Sequence, residues 1–356
     1  MIKKSKKIIF TGGGSAGHVT PNLALIEKFL KEKWEVAYIG SQAGIEKELI
    51  AKLGISYYSI ATGKLRRYFS WQNFTDPFKV IYGVIQAVIL CYRLKPNVLF
   101  SKGGFVSLPV VVAAWFFRIP VIIHESDLTI GLTNRLCFPL ATKICVTFPG
   151  TIKQIKNKIK GVIAGTPIRQ EFFTGNADLG RKICGFTAGK KIILVFGGSL
   201  GAEKINKAIR ELLPNILAKF QIVHICGQGK IDSSLQYSEY KQFEYLHDEF
   251  PHVLAAADLV ISRSGANSIY EVIALRKPNL LLPLPKTASR GDQITNAKYC
   301  VDKGFSEMIL EEQLTTNLLL EKITLTEKQG GAMIAAMKTF EILPTIDIIY
   351  KLAEQI

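Results

Sequence analysis

The chain has 356 residues, of which 48% are apolar and 21% charged, with six cysteines and a formal net charge of +16. This length predicts two domains, the composition excludes a disordered chain, and the scattered cysteines, without a CxxC pair, exclude a zinc ribbon or a small disulfide scaffold and suit a reducing cytoplasm. Residues 1–168 hold 23 basic and 8 acidic side chains, net +15, whereas residues 169–356 hold 22 and 21, net +1. The N-terminal half therefore faces something anionic: a phosphorylated substrate, a membrane surface or nucleic acid.

In chain order, residues 7–10 form a short apolar run, too short for a signal peptide, that leads into a glycine turn. Apolar residues at helical spacing follow over 22–31, and a second strand over 35–39. Segments 98–101, 121–124 and 143–147 read as later strands separated by helices or loops. This alternation predicts a parallel sheet covered on both faces. The apolar segments 80–90 and 106–117 are too short to span a bilayer; the second contains Pro109 and is ended by Arg118 and Pro120, so both read as buried helices. Segment 65–92 mixes Arg66, Arg67 and Lys79 with Tyr68, Phe69, Trp71, Phe74, Phe78, Tyr82 and Tyr92. Such a mixture suits a membrane interface, a stack on nucleic acid, or a buried helix with a solvated end.

The pattern then restarts. Gly165-Thr166-Pro167 breaks regular structure. A β-rich run over 191–196 enters a second glycine turn, followed by a helix over 203–213 and strands over 221–226, 259–262 and 279–284. Residues 345–355 read as an amphipathic helix.

Three turns carry candidate chemistry. Gly12-Gly13-Gly14-Ser15-Ala16-Gly17 satisfies GxGxxG between a strand and a helix, where backbone amides and the helix N-terminus favour an anion. A dinucleotide site would place a carboxylate at the end of the second strand. Here that strand ends Tyr38-Ile39-Gly40-Ser41, which argues against NAD. His18 follows the glycines directly and is placed for acid–base work. Gly197-Gly198-Ser199-Leu200-Gly201-Ala202 offers a diphosphate the same kind of cradle. Ser262-Arg263-Ser264-Gly265-Ala266-Asn267-Ser268 supplies a third set of amides, with Glu271 one turn further on to accept ribose hydroxyls. Asp292, Gln293 and Asn296 follow in a polar loop suited to a sugar. No Asp-x-Asp pair occurs, which favours holding a diphosphate with amides, helix dipoles and a basic residue such as Arg169.

Taken together, Gly13-Gly14-Ser15-Ala16-Gly17-His18-Val19-x-Pro21, Lys102-Gly103-Gly104-Phe105, His124-Glu125-Ser126-Asp127, Gly165-Thr166-Pro167-Ile168-Arg169, Gly197-Gly198-Ser199-x-Gly201-Ala202 and Ser262-Arg263-Ser264-Gly265-Ala266 resemble, in order and over essentially the whole chain, the MurG family. These are the N-acetylglucosaminyltransferases of peptidoglycan synthesis. The resemblance implies an α/β GT-B fold: two Rossmann-like, doubly wound parallel-sheet domains (1–165 and 166–340) with a cleft between them. Residues 341–356 would form a helix packing back on the first domain. It implies transfer of N-acetylglucosamine from UDP-N-acetylglucosamine (UDP-GlcNAc) to lipid I, giving lipid II. It also implies no cofactor, no metal and no nucleic acid. The enzyme would be peripheral on the cytoplasmic face of the inner membrane, bound to its anionic surface, with cell-wall and division proteins as further partners.

By motif matching, Ser15, Ala16, Gly17, Asp127, Arg169, Ser199, Leu246, Ala266, Asn267, Ser268, Glu271, Asp292 and Gln293 would bind the donor. Arg169 and Ser199 would meet the diphosphate, Leu246 the uracil and Glu271 the ribose. Gly13, Gly14 and Gly104 would hold the acceptor diphosphate. The expected reaction is an inverting single displacement, with His18 as base and Glu125 as the alternative. Two departures stand out. Many members carry Gln-Asn where this chain has Ser126-Asp127, and Asp292-Gln293 replaces a Gln-Gln pair. A different GT-B sugar transferase or a UDP-sugar epimerase is the competing enzyme reading.

Overall fold

The computed structural model describes residues 5–63, 72–187, 189–198 and 201–356. Arg66, Arg67, Tyr68, Phe69, Trp71 and Ser199 lie outside these stretches, as do the side chains of Ala16 and Phe74. The chain divides into two compact units, residues 1–168 with 343–356, and residues 169–342.

Unit 1 runs β1 (Lys7–Thr11), α1 (Thr20–Lys31), β2 (Glu35–Ser41), α2 (Ile45–Ala51), β3 (Ser56–Ile60), α3 (Gln72–Leu94), β4 (Val98–Ser101), α4 (Ser107–Phe116), β5 (Val121–Glu125), α5 (Leu132–Cys137), β6 (Lys143–Val146), α6 (Pro149–Ile152) and β7 (Gly161–Ile163). Its seven strands are parallel, in the order β3-β2-β1-β4-β5-β6-β7. Strand side chains alternate between faces. Ile9, Ile39, Leu99 and Ile123 therefore join one core with Val110 and Val111 of α4. Ile8, Phe10, Phe100 and Ile122 join the other with Leu25, Ile26 and Phe29 of α1. Burial on both faces is why these strands read as continuous apolar runs.

Unit 2 runs α7 (Ala177–Cys184), β8 (Lys191–Phe196), α8 (Glu203–Ile216), β9 (Phe220–Ile225), β10 (Tyr240–Phe243), α9 (Phe250–Ala256), β11 (Leu259–Ser262), α10 (Ala266–Ala274), β12 (Asn279–Leu281), α11 (Asp292–Asp302), β13 (Glu307–Met308) and α12 (Thr316–Lys338). Its six parallel strands follow the order β10-β9-β8-β11-β12-β13. Helix α8 buries Ile205, Ile209, Leu212, Leu213 and Ile216, one helical stripe, against Ile193, Val195 and Ile222.

The last helix, α13 (Thr345–Gln355), belongs to unit 1. Its Ile349 and Ala353 enter the core beside α1, and the Tyr350 ring lies 5.2 Å from Phe29, edge to face.

One expectation about the apolar helices needs correction. Residues 80–90 belong to the 23-residue α3, which buries only one face, with Ala87 and Cys91 in the core, and exposes Ile81, Tyr82, Ile85 and Ile89 on the other. Its segment Asp76–Leu94 is long and apolar enough to cross a membrane by length and composition. Pro109 occupies the first turn of α4, where a missing N–H costs no helical bond, and the helix ends at Phe116, before Arg118 and Pro120.

Candidate functional site

In each unit the strand order reverses beside the first strand of its sheet, between β1 and β4 in unit 1 and between β8 and β11 in unit 2. Loops leaving such a switch point diverge and open a crevice at the C-terminal edge of the sheet, where ligands bind in doubly wound folds. The sequence motifs fall at these two places.

In unit 1, Thr11 and Ser101 pair at the ends of β1 and β4, and the Lys102 N–H donates to the Thr11 carbonyl at 2.9 Å. The two glycine turns that follow pack on each other. A methyl group at Gly104 would strike the Gly13 carbonyl and sit 3.2 Å from His18 Cδ2, and one at Gly14 would strike the Phe105 ring. Gly14 and Gly104 also hold φ of 88° and 83°, open to glycine at little cost. Beneath the first turn lies Glu46, a fully buried carboxylate. It accepts from Ser41 N at 3.0 Å, Ser41 Oγ at 2.5 Å and Gly14 N at 3.4 Å.

His18 stands partly exposed at the head of α1, its Nδ1 3.2 Å from the Lys102 carbonyl oxygen. A carbonyl only accepts, so Nδ1 carries the hydrogen and the neutral ring keeps its lone pair on Nε2. That is the tautomer a base needs. Glu125 is placed differently. It is buried, and its carboxylate accepts from Asp127 N at 3.1 Å, Gly131 N at 2.9 Å and Asn134 Nδ2 at 3.0 Å. Three donors on one carboxylate make it a brace for the 125–131 loop. Asp127 is partly exposed beyond it, and Ser15 and Gly17 are exposed in the first turn.

In unit 2, Phe196 and Ser262 pair at the ends of β8 and β11. Gly201 closes the β8 turn at φ 69°, against the Cys226 carbonyl, where a side chain would not fit. Helix α10 starts at Ala266 after an extended Gly265, with no side-chain cap, so its first N–H groups can meet an anion. Asn267 and Ser268 follow, both partly exposed. The polar loop is stitched to this turn: Ser264 Oγ donates to Gln293 O at 2.9 Å, and Leu284 N donates to Gln293 Oε1 at 3.1 Å. Asp292 opens α11 with its Oδ1 unpaired among the described residues. Asn296, expected on a sugar, is instead fully buried and donates to Ser264 O at 3.2 Å.

Glu271, one turn into α10, is partly buried, and burial pushes its carboxyl up to about 7 against the opposing pull of Arg169. The Arg169 guanidinium lies 5.2 Å from the Phe172 ring, and its buried Nε finds no hydrogen-bond partner among the described residues. Tyr245, whose hydroxyl burial pushes upward, feels both Arg169 and Glu271. Leu246 beside it is buried. Arg169, Tyr245 and Glu271 therefore gather at one edge of unit 2.

Sequence reasoning missed Glu46, Tyr245 and the Arg263–Glu311 pair, in which Arg263 Nη1 also donates to Leu282 O at 3.0 Å. It quoted Lys102 within a motif without giving it a role. Among the described residues, no three His, Cys, Asp or Glu side chains group as metal ligands.

Residues 8–146 match the glycosyltransferase family 28 N-terminal domain, and residues 192–352 match its C-terminal domain. The chain belongs to glycosyltransferase family 28. A family 28 relative from Clostridium tetani (strain Massachusetts / E88) is 53% identical over 351 residues, 98% of each chain. One from Geobacillus kaustophilus (strain HTA426) is 55% identical over 316 residues, 88% of each. Both are named UDP-N-acetylglucosamine--N-acetylmuramyl-(pentapeptide) pyrophosphoryl-undecaprenol N-acetylglucosamine transferase. Among solved structures, Acinetobacter baumannii MurG superposes with a TM-score of 0.77 at 23% identity, covering 99% of this chain and 100% of that one. A UDP-GlcNAc 2-epimerase from Neisseria meningitidis superposes at 0.67 with 14% identity and the same coverage. At these identities the likeness is one of fold, and the fold is GT-B.

Proposed function

We propose that this family 28 chain transfers N-acetylglucosamine from UDP-GlcNAc to the C4 hydroxyl of the N-acetylmuramyl sugar of lipid I, giving lipid II for peptidoglycan synthesis. The observation that carries this reading is identity above 50% over nearly the whole chain to relatives named for that reaction. The epimerase shares only the fold, and its reaction has no use for a lipid acceptor.

Unit 2 holds the donor. Arg169, the α10 amides at Ala266, Asn267 and Ser268, and Ser199 balance the diphosphate. Glu271 takes the ribose hydroxyls, Leu246 offers backbone groups to the uracil, and Asp292 and the Gln293 Nε2 group take the sugar. In unit 1, Gly13, Gly14 and Gly104 bring backbone close to the acceptor diphosphate, while Ser15, Ala16, Gly17 and Asp127 reach the donor sugar. His18 Nε2 accepts the proton of the acceptor hydroxyl as its oxygen attacks the anomeric carbon and UDP departs. A positioned base of this kind supplies about 10²–10⁴-fold. Amides and Arg169 stabilise the charge growing on the leaving diphosphate. The reaction proceeds without a metal or cofactor and without a covalent sugar–enzyme intermediate.

The membrane contact is assigned to α3. Phe78, Ile81, Tyr82, Ile85, Ile89 and Tyr92 recur at helical spacing and are all exposed, Phe78 at 74%. Trp115 and Phe116 extend this surface on α4, which packs along α3. An apolar helical face on a unit of net charge +14 suits peripheral binding to the anionic cytoplasmic leaflet, where each nearby basic residue is worth about 1 kcal/mol. There the enzyme supplies lipid II for wall growth, cell shape and division.

The test is to incubate the protein with labelled UDP-GlcNAc and a lipid I analogue. Disaccharide lipid is expected. Conversion of UDP-GlcNAc to another UDP-sugar, with the acceptor untouched, would select the epimerase.

A further inference from the structure

The side chain of Lys102 is a buried charge that this mechanism does not use. The residue follows β4 directly and is 1% exposed. Burying an ammonium is costly unless it is hydrogen-bonded and faced by negative charge. Its Nζ lies 2.7 Å from His124 Nδ1 and also contacts Ser126 Oγ. His124 donates its Nε2 hydrogen to the Gly165 carbonyl at 2.7 Å, so Nδ1 presents a lone pair to the lysine. Burial, then Lys102, keeps this imidazole neutral. Glu125 and Asp127 act on the ammonium from the end of β5 and the turn after it, and Cys145 from β6. Burial lowers its pKa to about 7, and the two carboxylates oppose that shift. Glu125 already has three N–H donors. Asp127 has its main chain held at both ends, by Glu125 Oε1 on its N–H and by Thr151 Oγ1 on its carbonyl at 3.3 Å.

We propose that Lys102 is a positioning residue for the donor sugar: its Nζ ties Ser126 to His124 and thereby fixes the turn that presents the Asp127 carboxylate in one orientation. The same residue serves His18 through its carbonyl oxygen, so one position sets both the base and the sugar-facing carboxylate of unit 1. The inference rests on UDP-GlcNAc as the donor.

The test compares UDP-GlcNAc and UDP binding to the full chain by calorimetry, for wild type, K102M, D127N and the double variant. Asp127 meets the sugar and not the nucleotide, so K102M weakens UDP-GlcNAc about tenfold, the effect of losing one hydrogen bond to a charged group. UDP affinity stays within about twofold, and in the D127N background K102M costs less than about twofold, because the carboxylate it serves is gone. Equal losses for UDP and UDP-GlcNAc, or the same cost with and without Asp127, overturn the proposal. S126A breaks the same link with a smaller volume change and is read in the same way if K102M does not fold. A wild type that binds UDP-GlcNAc but makes no disaccharide lipid refutes the proposed reaction alone, and the binding ratios still decide Lys102. A wild type that binds no UDP-GlcNAc overturns both.

Discussion

At the scale of single residues the proposed chemistry depends on one ring nitrogen. The Lys102 carbonyl fixes the His18 tautomer, so His18→Ala removes the base and lowers kcat by about 10²–10⁴-fold with little change in donor KM, measured by steady-state kinetics. Glu271 gives a signed pH effect. Its folded pKa is raised from 4.5 to about 7. Its contribution to stability is therefore full below about 4.5 and lost as pH rises through about 7. Glu271→Gln then stabilises the protein at pH 8 by on the order of 1 kcal/mol in thermal unfolding, while weakening UDP binding at least about tenfold. In the unsubstituted protein, donor affinity falls as pH drops below about 7, where the ribose loses its carboxylate partner. His18, Glu271 and the glycines are legible in the sequence because each sits in a strand–turn–helix pattern whose physics is local. Glu46 is not. It lies in α2 beside Lys47 and Glu48 and reads as a surface charge, and only the fold brings it under Gly14, 32 residues away. Lys102 and Arg263 are hidden in the same way, because their roles come from burial.

At the scale of elements, the central strands are legible and the edges are not. β4, β8 and β11 are apolar runs and were read with their observed bounds, as was α13. β3 (Ser-Tyr-Tyr-Ser-Ile) and β10 (Tyr-Lys-Gln-Phe) lie at sheet edges, where polar residues guard an open ladder and break the apolar run. α3 was misjudged because its apolar spacing fits a buried helix as well as an exposed one. Its exposure makes a prediction: I85S combined with F78S lowers binding to anionic liposomes at low salt by at least about tenfold, since each exposed apolar side chain buries about 1.5–3 kcal/mol in the interface. Transfer to a soluble acceptor analogue stays unchanged. Unchanged liposome binding would move the membrane contact elsewhere. The docking of α13 is equally testable. Phe29 packs against Phe10, Trp34 and Tyr350 with ring centroids at 5.6, 5.1 and 5.2 Å. Phe29→Ala costs about 3–5 kcal/mol in chemical denaturation, and loss of the Tyr350 contact frees the last helix to limited proteolysis.

At the scale of the whole molecule, the two units repeat one plan. Each is a parallel sheet with a glycine turn at its switch point, and the two carry unequal charge. In the proposed reaction unit 1, at +14, meets an acceptor that is itself a lipid diphosphate on an anionic surface. In the same proposal unit 2, near neutral, binds its diphosphate with helix amides and Arg169. The charge asymmetry is visible in the composition, but only the fold puts the glycine turns, His18 and the exposed α3 face in the same unit. The most direct measurement is the linkage in the product. With EDTA present, UDP-GlcNAc and a lipid I analogue should give a disaccharide lipid whose new bond, read by the anomeric coupling in proton NMR, is β. An α linkage, dependence on added divalent metal, or release of UDP without a disaccharide would contradict direct displacement by a His18-activated hydroxyl.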